Sequence, residues 1–188
     1  MTHMNLKSTE QALPTAEGEA DPPDRKSLFR AVFRSPSFFL ATGGGAGLSG
    51  VAPGTLGALQ GIPLAWVINH FFGWPWQIAI VVVLNLIGVP ICTAAAKRIG
   101  RKDPGAVIWD EIATVPITFL FIPAALMNSP LILAAGFGLH RLFDISKFPP
   151  ANRLEKLEGG LGIMADDWAA GIWSCVALHA IIATGILG

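Results

Sequence analysis

Acidic side chains stand at the ends of the apolar segments in the second half of the chain. Six such residues are Asp103, Asp110, Glu111, Asp144, Asp166 and Asp167. A carboxylate close to hydrocarbon costs free energy unless a cation or a hydrogen-bond donor compensates its charge. Carboxylates that converge from separate helices suit a hard divalent cation, and Mg²⁺ prefers oxygen ligands while keeping waters and substrate phosphate in its shell. The spacing therefore predicts a Mg²⁺ site built from three helices.

Helix capping is the alternative interpretation for part of this set. Asp103, Asp166 and Asp167 stand at predicted helix starts, where a carboxylate can accept hydrogen bonds from free backbone N–H groups. For Asp103, which precedes a proline, capping and function fit equally well. Asp110 and Glu111 are predicted to lie about two turns inside an apolar helix, where capping is no explanation and an ionisable residue indicates function.

Basic and glycine-rich segments supply candidate phosphate ligands. Arg141 is one helical turn before Asp144, so it could form an ion pair with that carboxylate or bind a phosphate through two N–H groups. Lys147, one turn further on, could meet the same anion. The glycine-rich stretch 42–57 could present backbone N–H groups to an anion around Gly54, and Thr55 is predicted to begin a helix. Glycines also allow close helix packing in membranes, and both interpretations stay open.

The composition predicts a membrane protein. Of 188 residues, 52% are hydrophobic and 14% charged, against roughly 25% charged in an ordinary soluble domain. Residues 1–27 are polar and predict a disordered tail, and residues 28–188 form the predicted membrane-embedded domain, opening with an interfacial amphipathic helix. The fold predicted is an all-α bundle of about five transmembrane or membrane-embedded helices. The candidate spans are about 55–72, 76–96, 105–123, 129–144 and 167–187.

The distribution of basic residues predicts the orientation of these spans. Basic residues cluster between the second and third spans and between the fourth and fifth, whereas the turns at 73–75 and 124–128 contain no Lys or Arg. Because basic loops stay in the cytosol, this pattern predicts a cytosolic amino terminus and a cytosolic acidic site. Lys plus Arg equals Asp plus Glu at 13 each, so no net charge favours a nucleic-acid partner.

Two other functional classes can be weighed from the residues. Cys92 and Arg98 have the C-x₅-R spacing of cysteine-dependent phosphatases, but the residues between them favour a helix and include no glycine, so chance explains the spacing. An ion-coupled transporter would also use intramembrane acids and glycine-broken helices. Against a transporter, the acids gather at one predicted face, and no acid in the outer halves of the spans completes a path.

Together the motifs resemble the phosphatidylglycerophosphatase A family of bacterial membranes. The resemblance covers about residues 38–180 and leaves out residues 1–37. It rests on four motifs, which are A-P-G-T-L-G at 52–57, D-P-G-A-V-I-W-D-E at 103–111, R-L-F-D-I-S-K at 141–147 and G-G-L-G-I-M-A-D-D-W-A-A-G at 159–171.

The resemblance implies removal of the terminal phosphate from phosphatidylglycerophosphate to give phosphatidylglycerol, with Mg²⁺ required, at the cytosolic side of the inner membrane. It implies that Arg141 and Lys147 hold phosphate, with Gly54 and Thr55 as further substrate-binding candidates. The metal and catalytic acids that it implies are Asp110, Glu111, Asp144, Asp166 and Asp167. Within that set, Asp110 or Glu111 is the expected general base.

Overall fold

The computed structural model describes residues 24–186, and within this range the regular elements are all helical, as predicted. Residues 1–23 of the predicted polar tail lie outside the described residues. Short 3₁₀ turns occupy Ala46–Ser49 and Leu126–Asn128. The α-helices are α1 Arg25–Val32, α2 Pro36–Ala41, α3 Pro53–Phe71, α4 Trp74–Ile99, α5 Trp109–Thr118, α6 Pro130–Ser146, α7 Ala151–Leu154 and α8 Gly159–Ala183.

Two of these helices, α4 and α8, are long and apolar enough to cross a bilayer. They contain 26 and 25 residues, with mean hydropathies of 2.5 and 1.2 over their best windows. At 1.5 Å per residue each extends beyond the hydrocarbon core of about 30 Å. They support membrane association, whereas the count of five membrane helices stays a prediction.

The predicted third span, 105–123, is wrong in its bounds, because α5 has only ten residues. The segment before α5 is held by tertiary contacts instead of continuing a helix: the Ile108 N–H donates to the Ala41 carbonyl at the end of α2 (2.8 Å). After Thr118 the helix stops, and Phe121 adopts a left-handed backbone with φ of 65°. A helix of ten residues extends about 15 Å, half of a hydrocarbon core.

The predicted fifth span, 167–187, begins too late, because α8 starts at Gly159. Its first turn packs closely on α4, where the Gly160 N–H donates to the Thr93 hydroxyl (2.8 Å). A Cβ at position 160 would collide with the backbone carbonyl of Val89. The pair Gly159 and Gly160 is therefore the packed start of the helix.

The core surrounds α5, which packs against α3, α4 and α8. On one side, Trp109 and Ala113 of α5 join a buried cluster with Cys92 of α4 and Met164 of α8. On the other, Val115 and Phe119 pack with residues of α3, α6 and α8. Glycines permit the close approach of α3, since a Cβ at Gly61 would lie 2.6 Å from the Val115 Cβ. This packing fixes the first turn of α5 relative to α8.

At the amino-terminal side, the stretch predicted as one interfacial helix forms two short helices, α1 and α2. Asp24 caps α1 by accepting from the Ser27 N–H (2.9 Å), and the break before α2 falls at Ser35, which caps Pro36 onward. Phe29 and Phe33 are exposed on α1 and just after it. The interfacial location stays a prediction.

Candidate active site

Three carboxylates from two helices meet in the interior. Asp110 and Glu111 occupy the first turn of α5, and Asp167 lies in the third turn of α8. One oxygen from each of the three can be chosen so that all lie within 4.8 Å of one another. Asp110 and Asp167 are buried, with 8% and 3% of their surfaces exposed. Like charges held this close and this deep repel each other strongly, so a positive charge or protons must compensate them.

Several oxygens of these three carboxylates and of the neighbouring Asp166 are unpaired. Among residues 24–186, the buried atoms without a hydrogen-bond partner include Asp110 Oδ1, Glu111 Oε2, Asp166 Oδ1 and Asp167 Oδ2. Buried polar atoms are nearly always paired, and leaving one unpaired costs about 1–3 kcal/mol. Carboxylate oxygens from three residues within 4.8 Å of one another are the donor set that Mg²⁺ prefers, so the residues present fit this cation.

Two basic side chains border the cluster and pair with its outer acids. Arg141, in the last turns of α6, contacts Asp144 one turn later with an Nη1–Oδ2 distance of 2.5 Å. Lys147, the residue after α6, lies 3.7 Å from Asp144 and donates to Asp166 of α8. Both interpretations of Arg141 remain compatible with this geometry, because a guanidinium has five N–H donors and Asp144 engages only part of them.

The neighbours of Lys147 stabilise its charged form. Partial burial by itself would lower the pKa of Lys147, but the hydrogen bond to Asp166 and the charges of Asp166, Asp167 and Asp144 outweigh it and raise the pKa. Lys147 also adopts a left-handed backbone, with φ of 48°. For a residue with a side chain this conformation costs about 1–2 kcal/mol, a cost that the surrounding contacts must offset.

Gly54 brings the start of α3 to the same place. A Cβ at position 54 would collide with Glu111 Oε1 and would lie 3.4 Å from Arg141 Nη1. The helix begins at Pro53, two residues before the predicted start at Thr55, and its cap residue Ala52 has a left-handed φ of 42°. Thr55 is half-buried in the first turn. The first turn of α3, which has free backbone N–H groups, therefore lies next to both a carboxylate and a guanidinium.

The predicted position of Asp110 and Glu111 within a helix is wrong. Asp110 and Glu111 lie in the first turn of α5, not two turns inside a helix, because that helix begins at Trp109. Asp166 and Asp167 are the acids inside a helix, seven and eight residues after its start. Asp103 is exposed in the segment before α5 and caps none of the described helices.

Asn85 is a residue of the site that sequence reasoning missed. Its amide donates to the Val81 carbonyl (2.8 Å) and to the Ala113 carbonyl of α5 (3.0 Å), and its carbonyl oxygen accepts from Trp168 Nε1 (2.8 Å). Asn85 thus joins α4 to the helix that carries Asp110 and to the residue after Asp167. The available signal was one amide in the apolar run Val-Val-Val-Leu-Asn-Leu-Ile.

Comparison with known proteins identifies the family. Residues 39–182 match the phosphatidylglycerophosphatase A family. The chain belongs to this family. It is 39% identical over 155 residues to the phosphatidylglycerophosphatase A of Escherichia coli K12, covering 81% of this chain and 87% of the relative. The Haemophilus influenzae enzyme of the same name is 38% identical over 159 residues, covering 84% of this chain and 96% of the relative.

A third relative carries a different name. A Bacteroides thetaiotaomicron protein named putative phosphatidylinositol-3-phosphatase is 33% identical over 152 residues, covering 77% of this chain and 94% of the relative. No solved structure matches the chain.

Membership in the phosphatidylglycerophosphatase A family confirms two sequence-based predictions, the resemblance itself and the assignment as a phosphatase. The transporter alternative is not favoured, because these relatives are named as phosphatases. The matched range contains all four acid, base and glycine motifs. Cys92 is fully buried against Met164, a position that suits packing.

Proposed function

We propose that this protein hydrolyses phosphatidylglycerophosphate to phosphatidylglycerol and inorganic phosphate, with Mg²⁺ as cofactor. The family and the names of its two most similar reported relatives support the substrate. One observation carries the chemistry. Within residues 24–186, buried carboxylate oxygens of α5 and α8 lack partners and lie beside two basic side chains.

Asp110, Glu111 and Asp167 would hold Mg²⁺, because their oxygens can approach one point. Asp144 and Asp166 complete the acidic set and orient Arg141 and Lys147 through ion pairs. When bound, Mg²⁺ supplies positive charge to a phosphate oxygen and polarises water.

The phosphate-binding groups are Arg141, Lys147 and the first turn of α3. Arg141 can keep its ion pair with Asp144 and still donate N–H groups to a phosphate oxygen, because its donors form a planar fork. Gly54 and Thr55 contribute backbone N–H groups at a helix start, where an anion is stabilised. Their proximity to Arg141 supports one shared anion site.

In the reaction, a water oxygen attacks phosphorus while the bond from phosphorus to the glycerol oxygen breaks. Asp110 or Glu111 accepts the proton of the attacking water and passes it to the departing oxygen, which becomes the hydroxyl of phosphatidylglycerol. Asp166 keeps Lys147 charged and in place. Asp167, on α8, supplies negative charge at the cation site. The products are phosphatidylglycerol and inorganic phosphate, so atoms and charge balance.

The membrane arrangement proposed is a five-helix bundle in the bacterial inner membrane with the site at the cytosolic face. The apolar lengths of α4 and α8 support membrane insertion. The basic residues at 97–102 and 141–156 support a cytosolic location for the same ends that carry the acids. Exposed Phe29 and Phe33 among basic residues support an interfacial place for α1. A cysteine introduced at 152 should resist impermeant thiol reagents in intact cells, and ready labelling would reverse the orientation.

A phosphoinositide monoester is the second candidate substrate, favoured by the relative named putative phosphatidylinositol-3-phosphatase. The two substrates share a phosphate monoester and a diacylglycerol body, and differ in the group between them. Measuring kcat/KM for both lipids in the same micelles decides which is preferred.

The main test is phosphate release from phosphatidylglycerophosphate by the purified protein, with Mg²⁺ and with a chelator. Asp167→Asn should lower kcat by about 10²–10³-fold, the range for losing one electrostatic group of an active site. Asp103→Asn is the matched control, since Asp103 is exposed and outside the cluster, and it should keep full activity. Absence of release by the wild type would refute the function. Full activity in the presence of the chelator would refute the requirement for Mg²⁺.

A further inference from the structure

An apolar cavity lies between α4, the end of α5 and α8. It has a volume of about 330 Å³, within the range of small-molecule pockets. Asn85 and Trp168 are part of its lining, and the remaining side chains are apolar. These are Val81, Val82, Leu86, Ile117, Leu120 and Ile172.

The cavity offers no free polar group to an occupant. The amide of Asn85 is used by Val81, Ala113 and Trp168, and the only polar atom of the Trp168 ring is its donor in that set. An occupant with hydrogen-bonding groups would gain no partner among the lining residues, whereas a hydrocarbon chain would lose nothing. The chemistry of the lining therefore selects an apolar occupant.

The position of the cavity relates it to the acid cluster. Trp168 follows Asp167 directly, and Ile117 lies two turns after Asp110 on α5, about 10 Å along the helix. On both helices the lining residues follow the carboxylates along the chain, on the side away from the polar loops that precede α5 and α8. Val82, Leu86 and Ile172 are also exposed on the two helices long enough to cross a membrane, so the cavity opens where lipid chains would be.

We infer that this cavity, hereafter the acyl groove, binds one acyl chain of the lipid whose phosphate occupies the acid cluster. The inference rests on the proposed function for the identity of that lipid. The groove makes the enzyme selective for a phosphate monoester that carries a long chain, because a chain in the groove adds apolar contact that a soluble phosphate ester lacks. It also aligns the headgroup, since one end of the lipid is then fixed.

Two neighbouring valines provide a matched test. Val82 lines the groove and Val83 does not, yet both are similarly exposed on α4, at 48% and 55%. Val82→Trp should lower kcat/KM about tenfold for a dioleoyl substrate, the effect of losing contact with about two methylene groups. For a dihexanoyl substrate, whose chains are too short to fill the groove, Val82→Trp should change little. Val83→Trp should leave both substrates as in the wild type.

The inference would be overturned if Val82→Trp lowered kcat/KM equally for the dioleoyl and dihexanoyl substrates. It would also be overturned if Val82→Trp and Val83→Trp lowered kcat/KM equally. A photolabelling experiment keeps it testable if no phosphate is released. The probe is a phosphatidylglycerophosphate with a diazirine in its acyl chain, and labels should concentrate on 81–86 and 168–172 and fall in Val82→Trp. Labels spread evenly over the lipid-facing positions, or a crosslink at the groove between two copies of the chain, would reject an acyl-chain site. If the acyl groove is labelled but no phosphate is released, only the proposed function is rejected and the acyl-chain site stands.

Discussion

Replacing Gly54 by alanine tests whether the start of α3 belongs to the active site. An added Cβ would occupy the space of Glu111 Oε1 and would stand 3.4 Å from Arg141 Nη1. Since the clash involves the far end of a flexible side chain, the fold can adapt by moving the Glu111 carboxylate. Gly54 has no left-handed φ, so alanine fits the backbone.

The size of the expected loss in kcat/KM follows from the displacement of Glu111 that the clash requires. The Glu111 oxygen must move by about 1 Å to reach ordinary contact, and a misplacement of that size can cost about 10²-fold in rate. We therefore expect kcat/KM to fall about 100-fold, equivalent to about 2.7 kcal/mol of transition-state stabilisation. Stability should be unchanged or slightly higher, because alanine is a better helix former than glycine by up to about 1 kcal/mol.

The assay pairs phosphate release with thermal unfolding in the same detergent. Gly138→Ala is the control, because Gly138 lies in α6 with no atom near its hypothetical Cβ. It should retain full activity and unfold at the wild-type temperature or above. Wild-type kcat/KM in Gly54→Ala would show that this contact with Glu111 is irrelevant to turnover. A loss of activity accompanied by an equal loss of stability would attribute the effect to folding.

Three further outcomes are expected. Asn85→Leu should lower the free energy of unfolding by about 1–3 kcal/mol, seen as a lower melting temperature, since it leaves buried partners unpaired; an unchanged melting temperature would contradict the role of this amide. Cys92→Ala should keep its turnover, whereas inactivity in a folded Cys92→Ala protein would revive a cysteine mechanism. Because the pKa of Lys147 is raised, its ion pairs contribute fully below the ordinary lysine pKa of about 10.4 and are lost only as pH rises through the higher folded value. Thermal unfolding of the wild type and Lys147→Met should therefore differ by the same amount at pH 7 and pH 9, and a difference that shrinks in this interval would refute the assignment.

The sequence predicted which acids come together better than it predicted the helices that carry them. Acids from α5, α6 and α8 were expected together, and the structure places Asp110, Glu111 and Asp167 at one point with Asp144 and Asp166 beside them. Such convergence can be predicted because carboxylates are rare in apolar sequence and the charge of each one must be compensated.

The helix bounds could not be read in the same way. Hydropathy treats residues 105–123 as one apolar run, but Ile108 bonds to α2 and the chain turns at Phe121, and both effects arise from tertiary contacts. Similarly, Gly159 and Gly160 resemble a loop until the close approach of α4 is known. Asn85 was overlooked because a single amide in an apolar run has no partner that periodicity can reveal.

The shortness of α5 constrains how the protein can be assembled during synthesis. A helix of ten residues with two carboxylates in its first turn is too short and too polar to partition into a bilayer on its own. It becomes stable only when α3, α4 and α8 surround it, and α8 follows it by about 40 residues in the chain. The carboxylates of α5 therefore reach their lasting environment only after α8 has been synthesised and has packed against them.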